Sequence, residues 1–232
     1  MTQKEKLLYA LAFVSLAAIP LWICCAAPLF TPLPANLSFE ARLLSFDDFY
    51  NEKTGEFNGP TRSVTKLSTE AVETGGAAVL LNHSFSVYNL IGEEIFVVKR
   101  LYAVDPITRR HLREGADRER EGYFFSQRHL KKGGPFTTWW VNYDGPAHMT
   151  FSGEELIRNL KVYRYEARYE GVRIEQTDQL GNLPGVPEER GVVLEPHLTM
   201  WIEPVTGRLV NFTDETTAYY FDIKTGVHAQ RR

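Results

Sequence analysis

The stretch "IEPVTGRLV", residues 202–210, reads apolar, acid, proline, apolar, threonine, glycine, basic, apolar. Looser copies stand at 50–57 ("YNEKTGEF"), 104–112 ("VDPITRRHL") and 221–228 ("FDIKTGVH"). Each copy lies between two strand-like runs. Proline presets φ for the second position of a type I turn, as at Pro106 and Pro204. Threonine tolerates the next position. Glycine then takes the left-handed conformation that closes a hairpin through a bulge. Gly55, Gly207 and Gly226 fit that role. Arg109 holds the glycine position of the second copy, where a side chain strains the backbone. The four copies therefore predict strand reversals. A repeated ligand loop is the competing reading, but turn chemistry alone accounts for these residues.

The runs between the turns have a period of two. In "AVLLNHSFSVYN" (78–89), Val79, Leu81, His83, Phe85 and Val87 share one face. In "KVYRYEARYEGV" (161–172), Tyr163, Tyr165, Ala167 and Tyr169 face one way, and Arg164, Glu166 and Arg168 the other. Leu198, Met200 and Ile202 alternate with Thr199 and Trp201. "EIFVVKRLYAV" (94–104) is apolar on both faces, as a central strand is. Ser152 and Glu155 imitate a helix capping box before "LIRNL". The favoured alternative is a hairpin, "MTFSGEELI" against "LKVYRYEARY", joined at Arg158-Asn159.

"LYAVDPITRRHLRE" and "MWIEPVTGRLVNFTDE" align as aromatic, two residues, acid, proline, Ile/Val, threonine, any residue, arginine. Each follows an alternating strand. This predicts two related meanders, 36–113 and 123–228. Between them runs "RRHLREGADREREG" (109–122), which reads as a solvated loop of mixed charge.

Lys4 and Lys6 precede an uncharged apolar run, "LLYALAFVSLAAIPLWICCAAPLF" (7–30). About twenty such residues span a bilayer as a helix. A cleaved signal has a shorter core of ~7–15 residues. The expectation is a retained anchor over residues 1–30, with a cleaved signal as the alternative. Lysines before the run, against only Arg42 soon after it, place the N-terminus in the cytoplasm and the body outside. That is a single-pass protein of the cytoplasmic membrane. "TPLPANLS" (31–38) reads as a stiff Pro-rich spacer. The fold expected is mainly β: an N-terminal transmembrane helix, then an antiparallel β domain over 39–228, shaped as a curved sheet or half-barrel.

The 232 residues suffice for a substantial core. Apolar residues at 44% and charged residues at 24% exclude a disordered chain. A net charge of −3 carries no basic surplus for nucleic acid. Both cysteines, Cys24 and Cys25, lie in the apolar run, so the body has no disulfide framework and no cysteine nucleophile. No His pair has zinc-motif spacing, and no phosphate-binding loop or nucleophile elbow is present. His83 falls on an apolar strand face and reads as a core histidine. Glu154 and Glu155 point to opposite faces of a strand and do not form an acid–base pair. The expectation is no catalysis, no metal and no cofactor.

Aromatic density is the remaining signal. It reads first as sheet core and cross-strand pairs. It reads second as an apolar cavity, lined by Trp139, Trp140, Tyr163, Tyr165 and Trp201, that holds a lipid or other apolar ligand.

The succession of one apolar span, "PLPAN" (32–36), "FYNEKTGEF" (49–57), "YAVDPIT" (102–108), "FTTWW" (136–140), "FSGEELIRNLKVYRYE" (151–166) and "WIEPVTGRLV" (201–210) resembles the porin PorA family of bacterial and archaeal cell envelopes. The resemblance covers residues 32–226. It implies a membrane-anchored, extracytoplasmic envelope protein. Members commonly have Asn-Gly where this chain has Arg158-Asn159, and a second span after the body where this chain reads "VHAQRR". The family name implies a pore, but the body strands are short and charged on one face, unlike an outer-membrane barrel. Two function classes follow. One is a non-catalytic module that binds a lipid or apolar ligand. The other is a sensor or assembly domain that contacts a protein partner.

Overall fold

The computed structural model describes residues 3–22, 32–34, 36–51, 54, 56–75, 78–124, 126–141, 145–174 and 190–227. Its elements are α1 (Gln3–Leu21), β1 (Ser38–Asn51), β2 (Glu56–Gly75), β3 (Ala78–Asn89), β4 (Glu94–Val104), β5 (Phe136–Trp140), β6 (Gly145–Ile157), β7 (Leu160–Arg168), β8 (Val172–Ile174), β9 (Arg190–Glu203) and β10 (Arg208–Asp222).

The repeated punctuation is a repeated turn. After β4, Asp105 accepts the amides of Ile107 and Thr108 on its carboxylate, and Arg109 N–H closes onto Asp105 O at 2.9 Å. After β9, Glu203 accepts the amides of Val205 and Thr206, and Gly207 N–H closes onto Glu203 O at 2.9 Å. After β10, Asp222 and Gly226 repeat the plan. The closing residues have φ of 67° at Arg109 and 69° at Gly207 and Gly226. An acid begins each turn because its carboxylate satisfies the amides that the reversal exposes. Gly55 lies outside the described residues.

All strand pairs are antiparallel, and the strands form two sheets ordered β1-β2-β3-β4 and β10-β9-β7-β6-β5, with β8 on β9. The hairpin reading of 149–169 holds: Ile157 pairs Leu160 across Arg158 (φ 49°) and Asn159 (φ 66°). Two left-handed residues in succession make the turn that matches strand twist. The helical capping-box alternative is excluded.

The two expected halves each contain one sheet, and their details coincide. In β3, Leu81 pairs Tyr102 on one side and Ala71 on the other, with a bulge after Ala71. In β7, Tyr165 pairs Met200 and Phe151, with a bulge after Phe151. Leu33 N–H donates to Pro106 O at 2.8 Å, and Leu130 N–H donates to Pro204 O at 2.8 Å. Isolated bridges Val104–His111, Arg110–Tyr123 and Tyr123–Thr138 link β4 to β5. These bridges connect the two sheets, and β1 and β10 are the outermost strands among the described residues.

Four expectations need correction. β4 is the last strand of its sheet, not a central one. Its outer edge is covered by the following segment, through Leu112 N–H to Ala103 O and Asp117 N–H to Leu101 O, while Ile95 and Val97 near its start stay 38% exposed. That segment is not simply a solvated loop, because Arg120 is buried within it. Residues 32–37 are not a free spacer: Leu33 and Leu37 pack on the first sheet's core.

The fourth concerns the transmembrane helix. Among the described residues no helix is long and apolar enough to cross a membrane. Lys4, Glu5 and Lys6 occupy the first turns of α1. The apolar remainder, 7–21, spans roughly 22 Å of a ~30 Å hydrocarbon core. The rest of the expected span, 23–30, lies outside the described residues.

Candidate functional site

The two sheets face each other across an open groove of about 1920 Å³. That is roughly twice the upper end for pockets that take drug-sized ligands. The period of two supplies its walls. From the first sheet come Leu43, Leu67, Phe85 and Val87. From the second come Leu194, Met200 and Phe212. Phe39, Leu44 and Phe46 on the edge strand β1 are at least 48% exposed, so apolar surface continues to the rim.

One end of the groove is closed by the turns. Arg109 Nη1 donates to Ser126 O at 3.0 Å and to Thr206 O at 3.1 Å, tying the turn after β4 to the turn after β9. Arg109, Ser126, Thr206, Gly207 and Arg208 line this end. Gly207 is required there. A Cβ would stand 2.4 Å from Gln127 O and 2.6 Å from Ser126 O. Burial, and then the nearby charge of Arg128, lower the Arg109 pKa to about 10. The guanidinium stays protonated at neutral pH.

Behind the first wall lies a polar nest. His83 lines the groove and shares a 2.8 Å hydrogen bond between Nδ1 and Thr69 Oγ1. Its ring packs edge-on against Tyr102 and Phe124. Arg120 lies 4.0 Å from the Tyr102 ring centroid, donates to Leu101 O at 3.1 Å and pairs with Asp117 at 2.6 Å. Burial, followed by the Arg120 charge, lowers the pKa of both His83 and His111 to about 4. Both imidazoles are therefore neutral near pH 7, and His83 is the core histidine its strand face implied.

Of the five aromatics expected to line a cavity, the structure brings Trp139 and Trp140 to the groove. They sit on opposite faces of the short strand β5, at the seam between the sheets. Trp139 packs on the first core and Trp140 belongs to the second. Tyr163 and Tyr165 are buried in the second core instead. Phe136, which lines the groove, stacks edge-on against Tyr165 at 4.8 Å. Trp201 lies on the other parity of β9 from Met200 and Ile202, and its Nε1 donates to Glu155 Oε2 at 2.9 Å. Glu155 also receives Arg164 Nη1 at 3.0 Å, while Glu154 pairs with Lys132 and Lys161. The two glutamates thus serve separate cross-strand ladders.

Sequence reasoning missed Arg109 as a groove residue. Its signal was present as the one non-glycine in a glycine position. Among the described residues no group of three His, Cys, Asp or Glu side chains is placed to hold a metal ion. Comparison with known proteins returned no matching family profile and no matching curated sequence.

Proposed function

We propose that the chain is a non-catalytic binding module that holds a lipid or similar amphiphile in the groove between its two meanders. The observation that carries this reading is the size and apolar lining of the groove, with walls from both sheets. An alkyl chain laid along Leu43, Leu67, Phe85, Met200 and Phe212 removes apolar surface from water on both sides at once. Each buried methylene contributes about 0.8 kcal/mol. The two sheets, linked by isolated bridges between β4 and β5, read as a half-barrel curled around that ligand. In this reading the module works at the outer face of the cytoplasmic membrane. The proposed tether is the whole apolar run 7–30, since α1 alone is too short to cross, in keeping with the PorA-family resemblance of its motifs.

Native mass spectrometry of the full chain, purified gently from a membrane-containing host, tests the reading. The expected result is a co-purifying adduct of lipid mass that survives mild activation. A bare protein mass, together with no uptake of added alkyl ligands, would overturn it.

A second reading, an assembly or sensor domain with a protein partner, draws on α1. Leu8, Val14, Leu16 and Ile19 of this helix are all more than half exposed. Cross-linking that joins α1 to one stoichiometric protein, in a preparation free of lipid adduct, would favour that reading.

A further inference from the structure

The turn after β4 breaks the rule that its two sister turns obey. Gly207 and Gly226 take the left-handed closing position without cost, and Arg109 takes it with a side chain. Strain of this kind persists where the surroundings impose it and is a pointer to function. Two bonds, to Ser126 O and Thr206 O, explain part of the choice. They use only one of the guanidinium's three nitrogens. Nε is buried without a hydrogen-bond partner, and no carboxylate pairs with Arg109 among the described residues. The acids that begin the two turns, Asp105 and Glu203, are turned to the amides of their own turns. Arg208 lines the same end, and Arg128 is close enough for its charge to act on Arg109. Among the described residues the groove has four acidic ones: Glu195, Asp214 and Glu215 belong to strand positions farther from the turn, and Glu170 follows the end of β7 beyond the Arg168–His197 pair.

An apolar groove that ends on an under-partnered cation has the polarity of an amphiphile. We propose that the closed end is an anion site, where Arg109 receives the carboxylate or phosphate head of an amphiphile whose tail runs outward between the sheets. This rests on the groove reading above and adds head chemistry and orientation to it. With both Nη1 hydrogens taken and Nε buried, Nη2 is the nitrogen left to donate, and the guanidinium charge attracts either head.

The test uses the full chain and a displaceable fluorescent apolar probe, with decanoate, decyl phosphate, decanol and inorganic phosphate as competitors. Decanoate and decyl phosphate are expected to bind at least tenfold more tightly than decanol, with the preference shrinking as salt is raised. Inorganic phosphate alone is expected not to compete at millimolar concentration. Arg109→Gly gives the turn the residue its sisters have and removes the guanidinium, so the decanoate-to-decanol ratio is expected to fall toward one. Equal binding of decanoate and decanol by the unaltered chain would overturn the anion site and leave the groove reading standing. Competition by inorganic phosphate as strong as by decyl phosphate would overturn it in favour of a free-anion site. Failure of every alkyl competitor would remove the groove reading and this inference with it. The salt dependence on the unaltered chain decides the matter should Arg109→Gly fold poorly.

Discussion

The two meanders share a plan and differ in what fills it. Register, bulge position, acid-led turn and the bond to the turn proline coincide between β1–β4 and β5–β10. The second core is Leu130, Phe136, Trp140, Ala147, Met149, Tyr163, Tyr165, Ala167, Leu198 and Ile202, which is apolar apart from phenol and indole groups. The first is smaller, Val79, Leu81, Tyr102 and Val104, and is completed by Arg120, His83 and Thr69. Backbone rules thus fix topology in both halves, while side-chain content is free to diverge. The polar half is also the half whose acid-led turn closes on an arginine instead of a glycine.

The largest effect belongs to the closing position of the turns. Gly207→Ala puts a Cβ against two carbonyl oxygens at positive φ and is expected to cost about 4 kcal/mol in urea unfolding. Arg109→Gly, at the matching position, relieves strain of ~1–2 kcal/mol and loses two hydrogen bonds, so its net cost is expected to be no more than about 1 kcal/mol. Equal costs for the two substitutions would break the correspondence between the turns.

Next comes pH. His83 and His111 titrate near 6.5 when unfolded and at about 4 when folded. The unfolded chain therefore binds more protons in that window, and stability falls as pH drops from 6.5 towards 4. The loss is on the order of 3 kcal/mol in total, after allowing for the shared influence of Arg120. The lowered carboxylates Asp105 and Glu203 act in a different window: their contribution is present above the unfolded carboxylate values and fades as pH falls through their lower folded ones. Hydrogen exchange at pH 4.5 is expected to open β3 and β4 before β7 and β9. Uniform loss of protection would contradict the contrast between the cores.

Smaller effects sharpen the picture of the second meander. Replacing Arg158-Asn159 by Asn-Gly suits both left-handed positions and is expected to raise stability by about 1 kcal/mol. Tyr165→Phe removes a buried hydroxyl that has no hydrogen-bond partner among the described residues, and a gain of about 0.5 kcal/mol is expected by thermal unfolding. A loss above about 1 kcal/mol would mean the hydroxyl is satisfied in solution.

The fold was legible where its causes are local. Acid, proline and glycine spacing announced the turns, and alternation announced the buried faces of β3 and β7. The hairpin at Arg158-Asn159 was readable because a strand period continues through both flanks. What escaped the sequence depends on distant partners. Nothing near Arg120 shows that the Tyr102 ring and Leu101 carbonyl will receive it. Apolar residues on both faces of β4 suggested a central strand, whereas β4 ends its sheet and residues 112–117 cap its outer edge.

The site was half legible. Trp139 and Trp140 reach the groove because β5 lies at the seam. Tyr163 and Tyr165 have the right parity, but parity does not reveal that Phe136 packs over Tyr165. Trp201 was readable as outside, since Leu198, Met200 and Ile202 already claimed the inner face.

The most direct test of the central claim is quenching of tryptophan fluorescence by an alkyl carboxylate brominated at mid-chain. The four tryptophans are Trp22, Trp139, Trp140 and Trp201. A chain carrying Trp22→Phe and Trp201→Phe reports only from the groove, and one carrying Trp139→Phe and Trp140→Phe reports only from outside it. Saturable quenching of the first and none of the second is the predicted result. Equal quenching of both, or no quenching of either, would contradict a ligand held between the two meanders.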